Sequence, residues 1–350
     1  MKDSKIKTKE IKKIAVRMKH RKYLIFLCSA CFILGILSLI GFRIYSLKID
    51  QKNSQKSQAA FEEKIKEEEK KIDEQSSSIQ PWYSYRYIAH ALGGLDGRDY
   101  LNSIDGFYST YSKGYRVFEM DLLLTTDNVV IGKHQWGWNL SDPKSKKGDA
   151  VSYSKFKNTK IYGKYTPTSL KDMFQVMDQY KDFYIMTDSK GDEISQVKKD
   201  FNAIVKTAQD MDREAYLDRL VVQVYNKKMF YAIKEIYPFK HFVYTTYKQP
   251  DAAFYAMVKF CKANGIEGVT SPQNDINDYR MELLKKEGIY SFTHSVNNAY
   301  FAKEYMKLGI YGVYSDFLSP EQVNLSSIRA NYPDFIIKYL KETIPVYRSL

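Results

Sequence analysis

Two histidines flank a pair of closely spaced acidic residues near the middle of this sequence. His90 is followed by Glu119, Asp121 and His134, at intervals of 29, 2 and 13 residues. Side chains two positions apart on a β-strand point to the same face, so Glu119 and Asp121 would repel each other there. The spacing therefore predicts an acidic pair that needs a cation or a proton beside it.

Two interpretations account for this acidic pair. In the first, Arg116 and Lys190 form ordinary ion pairs with Glu119 and Asp121. In the second, which we prefer, one divalent cation binds both carboxylates and Asp188 supplies a third ligand. Hard oxygen ligands of this kind favour Mg²⁺ or Ca²⁺ over Zn²⁺.

The two histidines suit general acid and base catalysis, because imidazole titrates close to neutral pH. A cation that polarises a phosphoryl oxygen, together with an acid and a base, can cleave a phosphodiester. The sequence does not determine which of the two histidines is the acid and which is the base. Our working assignment has His134 as the acid and His90 as the base.

These side chains must be positioned by a regular series of elements that begins at Tyr85. Short runs of β-branched and aromatic residues alternate with helix-like segments, three of which begin with Ser or Asn as the N-cap. The eight runs end at His90, Leu122, Asp188, Tyr225, Thr246, Ser271, Val296 and Asp316, and the three helices are Ser169–Tyr180, Asn226–Tyr237 and Asn298–Gly309.

Eight strands alternating with helices over about 250 residues predict an α/β fold, a (β/α)8 TIM barrel. An additional run, NVVIGKH, lies between the second and third strands. A doubly wound open sheet is the alternative, but no GxGxxG follows a strand to support it. Active sites of TIM barrels lie at the C-terminal ends of the strands. Six further residues near these ends are candidates to contact the substrate: Lys133, Trp136, Lys190, Gln223, Tyr225 and His294.

The motifs IAHALGG, YLNSIDGF, FEMDLLLTTDNVVIGKH, YTPTSLKDM, MTDSK and GVYSD occur in this order. With them the chain resembles the glycerophosphodiester phosphodiesterase family, part of the PI-PLC-like phosphodiesterase superfamily. The resemblance implies a TIM barrel that hydrolyses glycerophosphodiesters with one divalent cation. It also implies that His90 and His134 are the acid and base, and that Glu119, Asp121 and Asp188 are the metal ligands.

The sequence departs from the family pattern at several positions. Ala91 stands where the family has an Arg that would grip phosphate, and Leu101 replaces a Glu. Gln135 follows His134 in place of Asp, and His294 replaces a usual aromatic residue. These departures put the substrate in doubt. A barrel that binds anionic lipid or cell-wall polymer as a scaffold, and a phospholipase D-like relative, therefore remain alternatives.

The N-terminal region predicts a membrane anchor. Residues 1–22 hold ten Lys and Arg against two acidic residues, and this tail supplies +8 of the net charge of +13. Residues 23–45 begin with an unbroken run of twenty uncharged residues, 23–42, enough at about 1.5 Å per residue to span roughly 30 Å. A cleaved signal peptide and a buried core helix are the alternatives, but no A-x-A site follows the run.

The basic flank predicts a cytoplasmic N-terminus, a polar stalk at residues 46–80 and an extracellular barrel at residues 81–350. This topology favours a single-pass protein in the cell membrane of a Gram-positive bacterium. The expected substrate of such a protein is a glycerophosphodiester, an anionic lipid or a wall polymer. Nucleic-acid binding is excluded as an interpretation, because most of the positive charge lies in the tail beside the membrane. The oligomeric state is not predicted.

Overall fold

The structure is a computed structural model that describes residues 79–141, 148–191 and 193–325. Helices and strands alternate along most of these residues. The strands are β1 (Tyr87–Ala89), β2 (Val117–Leu124), β3 (Val130–Gly132), β4 (Tyr184–Ser189), β5 (Leu220–Val224), β6 (His241–Thr245), β7 (Gly268–Pro272), β8 (Tyr290–His294) and β9 (Gly312–Ser315).

Eight of these strands form a closed parallel barrel. They are hydrogen-bonded in the order β1, β9, β8, β7, β6, β5, β4 and β2, and β1 also pairs with β2 to complete the ring. β3 lies outside the ring and runs antiparallel to β2, so it corresponds to the additional run NVVIGKH. In an open sheet β1 and β2 would not pair with each other. Their pairing closes the ring, so the predicted TIM barrel is confirmed.

The connections between strands are mostly helical, and most of the helices contribute buried apolar residues to the main core. The helices are α1 (Ile104–Ser112), α2 (Tyr153–Lys157), α3 (Leu170–Gln179), α4 (Ile194–Asp210), α5 (Lys227–Lys234), α6 (Asp251–Ala263), α7 (Asp278–Glu287), α8 (Ala299–Lys307) and α9 (Pro320–Leu325). The three predicted N-caps are confirmed: Ser169, Asn226 and Asn298 each accept a backbone N–H of the first turn that would otherwise lack a partner.

Along each strand, the side chains that fill the barrel change from apolar to polar. In β2, Val117 is followed at two-residue spacing by Glu119 and Asp121, because alternate residues of a strand share a face. Neighbouring strands show the same change at Met186 and Asp188, at Val221 and Gln223, at Val243 and Thr245, and at Phe292 and His294. The apolar layer supports the N-terminal end of the barrel and leaves the polar layer at the C-terminal mouth.

Trp82 closes the N-terminal end of the barrel. Its indole is fully buried, stacks on Phe292 at 5.6 Å and donates from Nε1 to Glu267 Oε2 at 2.8 Å. His241 Nδ1 lies 2.7 Å from the other oxygen of the same carboxylate. This cluster lies at the opposite end of the barrel from the mouth.

The predicted tail, membrane span and stalk fall at residues 1–22, 23–45 and 46–80, nearly all of them outside the described residues. Within the part of the chain that the structure describes, no helix is long and apolar enough to cross a bilayer. The anchor at residues 23–45 therefore stays a prediction.

Candidate active site

A cavity of about 390 Å³ opens at the C-terminal mouth of the barrel. Its lining divides into two sides. The first, which we call the charged half, comes from β1, β2, β4 and the loops that follow β1 and β3; it comprises His90, Tyr100, Glu119, His134, Asp188 and Lys190. The second, which we call the neutral half, comes from β6, β7, β8 and the loops that follow them; it comprises Thr245, Tyr247, Pro272, His294 and Ser295.

Three buried carboxylates meet in the charged half. Glu119, Asp121 and Asp188 are 2%, 1% and 6% exposed, and one oxygen from each lies within 4.8 Å of the others. The strand register explains this proximity, because Asp121 on β2 is directly opposite Asp188 on β4. The sequence prediction that these three residues come together is therefore confirmed.

Lys190 partly compensates the charge of this acidic cluster. Its ammonium lies 2.5 Å from Asp121 Oδ1 and also contacts Asp188 Oδ2. Burial by itself would lower the pKa of Lys190, but Asp121 and Asp188 outweigh this effect and raise it. Of the two ion pairs suggested by the sequence, Lys190 forms one, whereas Arg116 binds Asp182 instead.

Asn102, which the sequence analysis missed, fixes the orientation of Asp121. The amide Nδ2 donates to Asp121 Oδ2 at 2.7 Å, and Oδ1 accepts the backbone N–H of Asp121 at 3.0 Å. Asn102 adopts a φ of +46°, a conformation that Asn tolerates better than most residues. Its position within the family motif YLNSIDGF was the available signal.

Glu119 is held differently, by the tight turn that begins at His90. Ala91 has a φ of +48° and donates its N–H to Glu119 Oε2 at 2.6 Å. Gly93, at φ +94°, permits this turn, since a Cβ there would lie 1.8 Å from Thr110 Oγ1. Ala91 is fully buried, so the position occupied by Arg in the family serves here to orient a carboxylate through the backbone.

The three carboxylates fit a divalent cation. Glu119 Oε1 is buried and has no hydrogen-bond partner among the described residues. Burial and the neighbouring Asp121 raise the pKa of Glu119, because a second negative charge is poorly compensated there. A hard cation with oxygen ligands would both compensate this charge and supply the missing partner.

His90 is fixed by an ion pair across the barrel closure. Its Nδ1 lies 2.9 Å from Asp316 Oδ1, and Asn297 Nδ2 donates to the other carboxylate oxygen at 2.8 Å. Burial by itself lowers the pKa of His90, but the hydrogen bond to Asp316 and the charge of Glu119 raise it to about 9. With Nδ1 bound to Asp316, His90 presents Nε2 to the reacting groups.

His134 contacts the same tyrosine as His90. The Tyr100 ring is edge-to-face with His90 at 4.6 Å and with His134 at 4.9 Å. His134 also stacks on Trp138 at 4.8 Å. Burial lowers the pKa of His134, whereas the pKa of His90 is raised by its acidic neighbours. The sequence analysis missed this role of Tyr100, because no spacing rule places one aromatic ring against two distant histidines.

Two further predicted residues reach the cavity itself. Gln223 lies between the two halves, and its Nε2 donates to Tyr225 Oη at 2.9 Å. His294 lies in the neutral half, where its Nδ1 is 3.0 Å from Thr270 Oγ1. Burial and the positive charges of His90 and Lys190 lower the pKa of His294 to about 4.

Three of the predicted substrate contacts lie outside the cavity lining. Lys133 is buried and donates to the Trp138 carbonyl at 2.5 Å and to Asn139 Oδ1 at 3.0 Å, so it supports the loop that carries His134. Trp136 packs edge-to-face on Phe156. Tyr225 donates its hydroxyl to Asp188 and positions that carboxylate. Each of these side chains contacts a neighbouring element, and its contact with a substrate stays a prediction.

A closed parallel barrel with an acidic cluster and two histidines at its mouth defines a class of barrel hydrolases. The sequence model of the glycerophosphoryl diester phosphodiesterase family matches residues 94–319. The chain therefore belongs to the glycerophosphoryl diester phosphodiesterase family, as the motifs of the sequence predicted.

Solved structures support the same fold. The chain is similar to a glycerophosphodiester phosphodiesterase from Parabacteroides distasonis, with 17% identity, a TM-score of 0.54 and coverage of 69% of this chain and 95% of that one. It is also similar to an Oleispira antarctica phosphodiesterase in complex with the product sn-glycerol-3-phosphate, with 16% identity, a TM-score of 0.54 and coverage of 70% and 98%. No curated protein matches the chain.

Proposed function

We propose that this protein hydrolyses glycerophosphodiesters with the help of one divalent cation, Mg²⁺ or Ca²⁺. The observation that supports this proposal is that one cavity is lined by both histidines and by Glu119 and Asp188. Asp121 completes a cluster of three buried carboxylates there, and Glu119 Oε1 has no partner within the described chain. Family membership supports the reaction type. When bound by Glu119, Asp121 and Asp188, the cation would polarise a phosphoryl oxygen.

His90 acts as the general acid and His134 as the general base. The raised pKa of His90 keeps its imidazole protonated at neutral pH, and its Nε2–H is free to protonate the leaving alkoxide. The lowered pKa of His134 keeps that imidazole neutral and able to accept a proton from the attacking hydroxyl. The electrostatics therefore favour the reverse of our working assignment from sequence.

Lys190 supports the charged half in two ways. Its ammonium keeps Asp121 charged, since it is the principal attraction that lowers the pKa of that carboxyl against the opposing effect of burial. It also lines the cavity, where it offers a positive charge to the phosphate in place of the Arg that is absent at Ala91.

We also propose that the barrel is held outside the cell membrane by the segment at residues 23–45. The basic tail followed by an uncharged run supports this orientation. A site outside the membrane would meet lipid head groups and polymers with glycerol phosphate repeats.

The experiment is turnover by the purified full-length chain of glycerophosphodiesters whose second alcohol is glycerol, inositol, ethanolamine or choline. We expect activity to disappear in EDTA and to return with Mg²⁺ or Ca²⁺. Glu119→Gln should be inactive, whereas His241→Gln, at the opposite end of the barrel, should keep wild-type activity. Unchanged turnover in EDTA, or in His90→Ala, would contradict the mechanism.

One observation favours a second function, that of a barrel that binds anionic lipid or polymer without cleaving it. Lys190 already compensates Asp121 and Asp188, so this part of the cluster does not require a metal. Retention of the chain on glycerol phosphate polymer in EDTA, with no turnover under any metal condition, would establish this second function instead.

A further inference from the structure

The two histidines of the charged half are held by different kinds of contact. His90 Nδ1 lies 2.9 Å from Asp316 Oδ1, and a hydrogen bond of this kind fixes the orientation of an imidazole ring. His134 Nδ1 is buried, but it has no hydrogen-bond partner among the residues that the structure describes. The orientation of His134 must therefore come from contacts other than a hydrogen bond to Nδ1.

His134 is instead held by two aromatic rings. The Trp138 indole lies nearly parallel to the imidazole, at 4.8 Å between ring centres and an angle of 9° between ring planes. Tyr100 meets the imidazole edge-to-face at 4.9 Å and also meets the indole at 5.5 Å. Aromatic rings prefer such stacked and edge-to-face arrangements. Tyr100 and Trp138, which we call the aromatic clamp, therefore restrict the tilt of the imidazole.

The stacked indole also suits the charge that His134 acquires. As the general base, the imidazole takes a proton and becomes a cation in the course of the reaction. A cation within about 6 Å of the centre of an indole ring is attracted by the negative face of that ring. Trp138 can therefore do for His134 what the carboxylate of Asp316 does for His90.

A buried lysine fixes the backbone that carries the indole. Trp138 is 42% exposed, so burial alone does not hold its side chain in place. Lys133 is 4% exposed and donates from Nζ to the Trp138 carbonyl at 2.5 Å and to Asn139 Oδ1 at 3.0 Å. No carboxylate pairs with this ammonium in the described part of the chain. A buried charge is unfavourable unless it is paired or hydrogen-bonded, and the acceptors of Lys133 both lie in the loop of Trp138.

Asn139 connects the two sides of the aromatic clamp. Its Oδ1 accepts from Lys133, and its Nδ2 donates to the Tyr100 carbonyl at 3.1 Å. Tyr100 has a φ of +49°, a conformation that is uncommon for a bulky residue and that surrounding contacts must maintain. Lys133 and Asn139 therefore link the backbones of both rings that contact His134.

We propose that Trp138 is a positioning residue for catalysis, whose indole orients the His134 imidazole and stabilises the positive charge that this ring acquires. Lys133 and Asn139 contribute through Trp138, because they hold the loops from which the rings of the aromatic clamp extend. This inference rests on the proposed function, since it takes His134 as the general base.

The first experiment compares Trp138→Leu and Trp138→Phe in steady-state turnover of a glycerophosphodiester by the full-length chain. We expect Trp138→Leu to lower kcat by about 10–10²-fold, because a misplacement of about 1 Å can cost 10²-fold. Trp138→Phe keeps an aromatic face and should recover most of this loss. KM should stay within about twofold of wild type, whereas loss of a side chain that only contacts substrate would raise KM at constant kcat.

Tyr162→Leu is the matched control for these variants. Its ring is 43% exposed, lies in the same connection between β3 and α3, and contacts the Arg98 guanidinium. It makes no ring contact with either histidine of the charged half within the described residues. Its kcat and KM should therefore equal those of the wild type.

The second experiment tests the stack without any turnover, by nuclear magnetic resonance of the full-length chain labelled with ¹³C at its histidines. An indole face shields the protons of a ring stacked on it, so the His134 resonance, assigned with His134→Gln, should move downfield in Trp138→Leu. Lys133→Met should move it in the same direction, because the loop of Trp138 loses its two hydrogen bonds. Lys181→Met, which also removes a lysine bound to a backbone carbonyl, should leave the resonance unchanged.

A double variant tests whether Lys133 acts through the indole. Lys133→Met should lower kcat by no more than Trp138→Leu does. The combination of both substitutions should be no slower than Trp138→Leu alone, because residues that act through one another have non-additive effects. Additive losses would show that Lys133 does not act through Trp138.

Failure of this proposal differs from failure of the proposed function. A kcat of Trp138→Leu within about threefold of wild type, or a change in KM alone, would overturn the positioning role. A His134 resonance that does not move in Trp138→Leu would also overturn it. Absence of turnover by the wild-type chain would contradict the proposed function, and the His134 resonance in Trp138→Leu and Lys133→Met would then decide whether the aromatic clamp orients this imidazole.

Discussion

The two halves of the barrel mouth are built on the same backbone but differ in their electrostatics. In the charged half, three carboxylates, a lysine and two histidines share one buried region, and the pKa of Glu119 is raised while that of His90 rises to about 9. In the neutral half, His294 remains uncharged, with a pKa lowered to about 4. The comparison teaches that one half of the mouth stabilises buried charges by pairing them, whereas the other half disfavours a buried positive charge.

This difference in electrostatics follows from the types of residue that the two halves carry near the ends of their strands. Both halves use inward-facing residues near the C-terminal ends of parallel strands. Asp121 and Asp188 occupy these positions on β2 and β4, whereas Thr245 and His294 occupy them on β6 and β8. Substitutions in the two halves should therefore have different kinds of effect, and four experiments test this, from the largest expected effect to the smallest.

Removal of either imidazole of the charged half should have the largest effect on catalysis. We expect His90→Ala and His134→Ala each to lower kcat by about 10²–10⁴-fold, because proton transfer by a positioned side chain contributes that much. Steady-state kinetics of glycerophosphodiester turnover measures this effect. A decrease in kcat of less than tenfold in both variants would contradict a catalytic role for the charged half.

Lys190→Met should have the largest effect on stability. Without the ammonium, Asp121 and Asp188 are left buried and unpaired, and we expect the free energy of unfolding to fall by about 3–5 kcal/mol in EDTA. Saturating Mg²⁺ or Ca²⁺ should restore more stability to this variant than to wild type, because a bound cation would replace the missing charge.

Chemical denaturation with and without the metal measures both quantities. Lys198→Met is the matched control, since Lys198 pairs with Glu235 at 2.8 Å on the exposed surface and should contribute at most about 1 kcal/mol. If the two variants lose similar stability, Lys190 does not compensate the acidic cluster.

Asp316→Asn should shift the pH dependence of catalysis. Asp316, through its hydrogen bond and its charge, is one of the acidic groups that together raise the pKa of His90 to about 9 against the effect of burial, so loss of its charge should lower that pKa. If His90 is the general acid, the alkaline limb of the kcat profile moves to lower pH. Movement of the acidic limb instead would identify His90 as the base.

The pairing of His90 with Asp316 should also make the stability of the fold depend on pH. Because the pKa of His90 is higher in the folded state, its pairing with Asp316 stabilises the fold fully below about pH 6.5, and this contribution is lost as the pH rises through about 9. Melting temperatures of the wild type and of Asp316→Asn should therefore converge at alkaline pH.

Tyr247→Leu, in the neutral half, should have the smallest effect. The side chain is largely exposed and contributes binding surface, so we expect KM to rise a few-fold at nearly constant kcat. Tyr279→Leu, a similarly exposed tyrosine on α7, is the control. A fall in kcat by more than tenfold in Tyr247→Leu would show that the neutral half takes part in the chemistry.

Much of the fold could be predicted because its signals are local. Eight apolar runs, helices that begin at Ser169, Asn226 and Asn298, and a polar residue at the end of most strands indicate a barrel from short-range periodicity and capping. The acidic triad could also be predicted, since Glu119 and Asp121 share one strand and Asp188 ends the next strand of the ring.

The sequence by itself therefore determined the barrel, the acidic cluster and the presence of two histidines near it. Only the tertiary structure decided which groups those residues meet, because Asp316 is 226 positions from His90 and Tyr100 contacts both imidazoles without any spacing signal. It also showed that Lys133 donates to the Trp138 carbonyl, that Trp136 packs on Phe156, and that His294 lines the neutral half. The reason is that pKa values and free hydrogen-bonding atoms depend on burial and on distant neighbours, which local sequence does not specify.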